Sequence, residues 1–143
     1  MENRKAGKET VLVVEDAPEV MTVVTHLLEM NGHRVMKARD GEEAIRIFKE
    51  NQEKIDLVLL DLILPGISGK AVYQTIHQMA SNIPFVISTG TSLEREDIAY
   101  LEQQGLPIIR KPYSLDILNA AVKRALNPPK SDPVQTAETL QTH

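Results

Sequence analysis

Apolar residues in this chain fall into two kinds of pattern. Four short runs are continuous: Val11-Leu12-Val13-Val14, Leu57-Val58-Leu59-Leu60, Pro84-Phe85-Val86-Ile87 and Pro107-Ile108-Ile109. Continuous runs of this length predict strands buried on both faces of a parallel sheet. A weaker run, Arg34-Val35-Met36-Lys37-Ala38, has the mixed polarity of an edge strand. Between the runs, apolar residues recur at helical spacing. They are Val20, Val23, Val24, Leu27 and Leu28; Ala44, Ile45 and Phe48; Val72, Ile76 and Met79; Ile98 and Leu101; and Leu115, Leu118, Val122 and Leu126.

Local stop and start signals agree with this reading. Pro18 suits a first helical turn. Asp40 is placed to cap the helix that opens at Gly41-Glu42-Glu43, and Ser114 to cap the last one. Thr91 with Glu94 has capping-box spacing, Gly105 suits a helix end, and Pro128 follows the last helix. Five strands alternating with five helices predict an α/β fold with a parallel sheet between two helical layers. Right-handed crossovers make it doubly wound, a flavodoxin-like (βα)5 three-layer sandwich. The weak second strand belongs at an edge, which gives the strand order 2-1-3-4-5.

Composition narrows the picture. The chain has 143 residues, 42% hydrophobic and 25% charged, which suits one domain with a real core. With 3% aromatic residues and no Trp, that core must be aliphatic. Cys is absent, which excludes disulfides, thiolate metal sites and cysteine nucleophiles. A formal net charge of −4 offers no bulk attraction for nucleic acid. No apolar run is long enough to span a bilayer, and the polar start lacks the apolar middle of a signal peptide, so a cytoplasmic location is expected. Residues 1–9 are read as a polar N-terminal segment, 10–127 as the domain and 128–143 as a flexible tail rich in Pro, Ser, Thr and Gln.

The chemistry lies in where the polar residues fall. Val14 runs into Glu15-Asp16, Leu60 into Asp61, Ile87 through Ser88 into Thr89-Gly90, and Ile109 through Arg110 into Lys111-Pro112. All four groups end strands, and in a parallel sheet those ends share the edge where ligands bind. Three carboxylates held there repel: at about 4 Å a pair costs roughly 1 kcal/mol in water and roughly 4 kcal/mol at an effective dielectric of about 20. A hard divalent cation, Mg²⁺ or Mn²⁺, relieves that repulsion and leaves coordination positions for phosphoryl oxygens. Lys111 can act on those oxygens as a point charge, Thr89 can donate from a short hydroxyl, and Gly90 lets the backbone approach closely. Asp61 is then the natural nucleophile, since carboxylates form acyl phosphates.

Each residue also has a plain structural explanation. Asp16 could cap a helix, Asp61 a turn into Pro65-Gly66, Thr89 could make a local turn, and Lys111 could be a solvated lysine. Those explanations do not account for all of them ending successive strands. Weaker motifs fail on their own terms. The stretch from Gly66 to Ala71 is too short for a phosphate loop and has Ala71 where Ser or Thr is required. His26, His33, His77 and His143 show no ligand spacing. No nucleophile elbow with a Ser/His/Asp set is present.

The chain from about Thr10 to Leu126 resembles a response-regulator receiver domain, the module of two-component phosphorelays. The matching pieces are Val13-Val14-Glu15-Asp16, Asp61-Leu62-Ile63-Leu64-Pro65-Gly66-Ile67-Ser68-Gly69, Ser88-Thr89-Gly90 and Lys111-Pro112-Tyr113. The resemblance implies that Asp61 accepts a phosphoryl group from phosphohistidine on a histidine kinase or histidine phosphotransfer domain. It implies Mg²⁺ held by Glu15, Asp16, Asp61 and the Leu62 backbone carbonyl, with Thr89, Gly90 and Lys111 about the phosphoryl group. It also implies a cis bond before Pro112. Under this reading the protein is a signalling module that catalyses only its own phosphorylation and dephosphorylation. The donor docks near the helix opening at Pro18. The output is a downstream protein partner or a phosphorylation-dependent homodimer, with no direct nucleic-acid or membrane contact.

Two departures stand out. Glu15 takes the place of the commoner Asp. Ile108 stands three before Lys111, where the family often carries a switch aromatic, which argues against a coupled threonine–aromatic rotamer switch; Tyr113 is the alternative reporter. Two rivals share parts of the pattern. A haloacid-dehalogenase phosphatase needs a second acid where Ile63 stands, and a flavodoxin-like binding module needs a phosphate loop where Glu15-Asp16 stand. A stand-alone regulator and a portion of a hybrid kinase both remain open.

Overall fold

The computed structural model describes residues 9–90 and 95–127. Five strands alternate with five helices: β1 (Thr10–Val14), α1 (Pro18–Met30), β2 (Arg34–Ala38), α2 (Gly41–Glu50), β3 (Leu57–Asp61), α3 (Gly69–Met79), β4 (Phe85–Thr89), α4 (Arg95–Gln103), β5 (Ile108–Arg110) and α5 (Leu115–Leu126). All strand pairs are parallel, and the sheet order is β2-β1-β3-β4-β5. The expected α/β doubly wound architecture and order are therefore present.

The reason for continuous apolar runs is visible in the two cores. Leu12, Val14, Val58, Leu60, Phe85 and Ile87 face one side, with Ala44 and Phe48 of α2, Val72 and Ile76 of α3, and Leu101 of α4. Val11, Val13, Leu57, Leu59, Val86 and Ile109 face the other, with Val24 and Leu28 of α1 and Leu118 and Val122 of α5. Alternate residues of each central strand thus enter different cores, so neither set can be polar. Burying one such side chain fully stabilises by roughly 1.5–3 kcal/mol. The edge strand β2 keeps Arg34 and Lys37 exposed, which blunts the free edge against pairing.

Helix ends follow their local signals. The side chains of Asp40, Ser68 and Ser114 accept from the backbone N–H groups of Glu43, Ala71 and Ile117. Gly105 has φ +80°; its N–H donates to the Glu102 carbonyl, and that of Leu106 to the Leu101 carbonyl, which closes α4 in a Schellman motif. Two local points are decided by the structure. Asp16 does not cap α1: Ala17 is the N-cap, with no side-chain cap. The apolar stripe of α1 is also wider than its buried face. Val24 and Leu28 enter the core, whereas Val23 is 55% exposed. The capping box at Thr91 and Glu94, Pro128, the tail and residues 1–8 lie outside the described residues.

Candidate functional site

Strand order brings the polar strand ends together. Glu15 follows β1 and is tied to the neighbouring strand by its N–H to the Ala38 carbonyl at 3.0 Å. Asp61 closes β3 and pairs in register with Ser88, so Thr89 lies one residue further along β4. Thr89 pairs with Arg110, and its carbonyl accepts the Lys111 N–H at 2.8 Å. Lys111 follows at the end of β5, before a cis bond to Pro112.

Lys111 is the centre of the cluster. Its ammonium lies 2.8 Å from Glu15 Oε1 and donates to Asp61 Oδ2 at 3.0 Å. The other oxygens are held by backbone: Asp61 Oδ1 accepts the Ile63 N–H at 3.1 Å, and Glu15 Oε2 accepts the Ala17 N–H at 3.2 Å. Glu15 and Asp61 are 4% and 5% exposed, while Asp16 is open to solvent. Ligand oxygens of all three acids lie within 4.8 Å of one another. Thr89 is fully buried beside them. Three carboxylates against one ammonium leave a formal excess of two negative charges.

The protonation behaviour reflects this crowding. Burial pushes the Glu15 carboxyl above its ordinary value; Lys111 pulls it down and Asp61 pushes it further up. Burial works against the Lys111 ammonium, but the hydrogen bonds and charges of Glu15 and Asp61 outweigh it and hold its pKa above the ordinary value. Burial likewise raises the Tyr113 phenol, which packs with the α1 and α5 core. Ile108 packs toward the opposite core, against the α2–α4 side.

The glycines of the β3–α3 connection have specific reasons. Gly66 has φ +76°, the left-handed region. A Cβ on Gly69 would lie 2.5 Å from the Asp61 carbonyl oxygen and 2.7 Å from Leu62 Cα, so α3 starts against the main chain of the acid. Gly90 differs: among the described residues, a Cβ there would meet only Lys111 Cδ, at 3.9 Å.

The Leu62 carbonyl, expected as a metal ligand, has a protein partner. It accepts the Gly69 N–H at 3.0 Å, and that oxygen would lie 2.7 Å from a Gly69 Cβ. It therefore faces the first turn of α3. Two backbone contributors were missed in the sequence, the N–H groups of Ile63 and Ala17. The signal was available: an acid followed two residues later by a free N–H favours a local side-chain turn. Lys70, in the stretch that faintly resembles a phosphate loop, reaches Asp97 and Tyr100 on α4.

A hard cation suits the donor set. Carboxylate oxygens, two of them buried with a charge deficit, are the ligands Mg²⁺ and Mn²⁺ prefer. Beside the cluster, α1 and the β5–α5 connection enclose a cleft of about 310 Å³ lined by Val20, Val23, Leu27, Lys111, Pro112 and Tyr113.

Residues 11–123 match the family model of the response regulator receiver domain. The chain belongs to that family. Phosphoacceptance on aspartate in two-component signalling is general to receiver domains. The alkaline phosphatase synthesis transcriptional regulatory protein PhoP of Bacillus subtilis is 34% identical over 116 residues, 81% of this chain and 48% of PhoP. The chain thus spans about half the length of that relative. A response regulator receiver domain protein from Clostridium thermocellum aligns with TM-score 0.75 and 30% identity, over 83% of this chain and 94% of that one. The receiver domain of a Pseudomonas aeruginosa sensor histidine kinase, whose structure has magnesium coordinated in the active-site cleft, aligns with TM-score 0.72 and 26% identity, over 83% and 98%. Membership sets aside the phosphatase and flavodoxin-like rivals. Among the described residues, no helix is long and apolar enough to cross a membrane.

Proposed function

We propose that Asp61 is the phosphoacceptor of this receiver domain and takes its phosphoryl group from phosphohistidine on a histidine kinase or histidine phosphotransfer domain. The observation that carries the reading is one ammonium, Lys111, bridging the buried carboxylates of Glu15 and Asp61 with Asp16 open beside them. Glu15, Asp16 and Asp61 would hold Mg²⁺ or Mn²⁺. For the backbone ligand we favour Ile63, whose N–H already rests on Asp61, over Leu62, whose carbonyl is engaged by Gly69. When bound, the cation would offset negative charge and polarise the phosphoryl oxygens.

The chain's own residues account for the rest. An Asp61 carboxylate oxygen attacks phosphorus, the N–P bond breaks, and the imidazole leaves and takes a proton from solvent. Lys111 moves its charge from the free carboxylate to the phosphoryl oxygens, and the buried Thr89 hydroxyl donates to one of them. The acyl phosphate carries roughly −1.5 to −2 charge where the free carboxylate carried one negative charge. The apolar cleft between α1 and Pro112 supports docking of the donor there, since it opens beside Lys111. A downstream protein partner, or a second copy, reads the phosphorylated state.

The test uses acetyl phosphate with Mg²⁺ and intact mass. The natural chain gains one phosphoryl group, and Asp61→Asn gains none. Equal labelling of the variant would sink the assignment.

A further inference from the structure

Ile108 leaves no aromatic to couple Thr89 to the surface at that position, yet aromatic and charged side chains do connect the site to α4 by another path. The path starts at the acceptor's own main chain. Gly69 donates its N–H to the Leu62 carbonyl at 3.0 Å, and there is no room between it and the Asp61–Leu62 backbone even for a methyl group. The next residue is Lys70. Its ammonium lies 3.9 Å from Asp97 Oδ1 and 4.8 Å from the centre of the Tyr100 ring. One turn on, Gln74 Nε2 donates to the Tyr100 hydroxyl at 3.3 Å. Tyr73 meets the Tyr100 ring edge-on at 6.4 Å and Phe85 of β4 at 4.8 Å. Lys70, Tyr73 and Gln74 form one stripe on α3, and Asp97 and Tyr100 one on α4.

What this clasp holds is weakly anchored. Among the described side chains of α4, only Leu101 is fully buried. By comparison, α1 and α3 each bury four residues, and α2 and α5 three. A long ion pair, a cation over a ring and one side-chain hydrogen bond are individually weak and partly solvated, so their sum is small enough to reverse.

We propose that Lys70 is a positioning residue that clasps α4 to α3 while Asp61 is unmodified, and that phosphorylation releases α4 through it. This rests on the reading of Asp61 as the acceptor. Added negative charge on Asp61 shifts the strand end to which Gly69 is packed and draws the Lys70 ammonium away from Asp97 and Tyr100. Both effects move the same residue, and α4 is the element that then changes population.

Hydrogen–deuterium exchange of the α4 amides, with phosphorylation followed by intact mass on the same samples, decides it. Acetyl phosphate with Mg²⁺ should speed α4 exchange in the natural chain by about tenfold. Lys70→Met should show most of that rise without any donor, and less than about a twofold further rise with it. Its mass gain should equal that of the natural chain. Asp97→Asn attacks the clasp from the other helix and should shift α4 exchange in the same direction. The proposal is overturned if both variants exchange like the natural chain, or if fully phosphorylated natural chain shows unchanged α4 exchange. If no sample gains mass, the acceptor reading fails and with it the release by phosphorylation. The two variants' exchange without donor then still shows whether the clasp holds α4.

Discussion

The two ends of the parallel sheet are built on opposite principles. At the N-terminal end, backbone N–H and carbonyl groups are matched across the fold. Asp56 Oδ2 accepts the Thr10 N–H at 2.9 Å, and the Asp56 N–H donates back to the Thr10 carbonyl at 2.8 Å. The Arg34 N–H donates to the Glu9 carbonyl at 2.9 Å, and His33 Nδ1 sits 3.3 Å from Glu9 Oε1, close in distance but without hydrogen-bond geometry. At the C-terminal end, three acids cluster and one ammonium bridges two of them, Glu15 and Asp61. One end closes the fold; the other keeps uncompensated charge at the cost of stability. Sites that act on phosphoryl groups need that second arrangement, because a fully satisfied cluster has nothing left to offer a ligand.

The contrast can be broken at several points. The largest stability effect falls on Gly69→Ala, which forces a methyl into the Asp61–Leu62 main chain and should cost about 1–3 kcal/mol in urea unfolding. Gly90→Ala on the same edge meets, among the described residues, only Lys111 Cδ at an ordinary 3.9 Å and should stay within about 0.5 kcal/mol. Next comes the metal. Asp16→Ala should weaken Mg²⁺ binding by at least about tenfold in a calorimetric titration. Asp56→Ala, at the other end, should leave that affinity unchanged.

Stability should then reverse between the same two acids. Without metal, Asp56→Ala leaves the Thr10 N–H short of its partner and should cost about 1–2 kcal/mol. Asp16→Asn removes a repelling charge and should be neutral or stabilising by up to about 1 kcal/mol. If both acids destabilise alike on removal, the two ends do not differ as described.

The smallest effect is the pH dependence with metal chelated. The folded chain binds the Glu15 proton more tightly than the unfolded chain, whose value is near 4.5. Glu15 therefore adds stability as pH falls through its raised folded value toward 4.5, and this is lost as pH rises back through that value. Glu15→Gln should flatten that part of the profile. Lys111 behaves oppositely in range: its contribution is complete below 10.5 and disappears as pH rises through its raised folded value. Urea midpoints measured across both ranges would show either slope.

Much of this was legible in the chain itself. The runs at Val11–Val14 and Leu57–Leu60 read as buried strands because alternate residues enter separate apolar layers. Asp40, Ser114 and Gly105 announced helix ends through chemistry confined to one turn. The stripe on α1 is wider than its buried face, and periodicity alone cannot tell a side chain facing the sheet from one lining a cleft beside it. Val23 is the case in point. Asp16 had a helix cap as its alternative reading, and only the chain's path shows Ala17 in that role.

The sequence by itself determined the elements, their order across the sheet and the edge at which Glu15, Asp16, Asp61, Thr89 and Lys111 would lie. Those follow from hydrophobic period, capping and crossover handedness, all of which act over short stretches. Only the tertiary structure decided that Lys111 bridges Glu15 and Asp61, that the Leu62 carbonyl turns to Gly69, and that Lys70 reaches α4. Lys111 and Asp61 stand 50 residues apart. Contacts across such separations depend on strand register and helix packing, where a shift of one residue or a few ångströms selects a different partner.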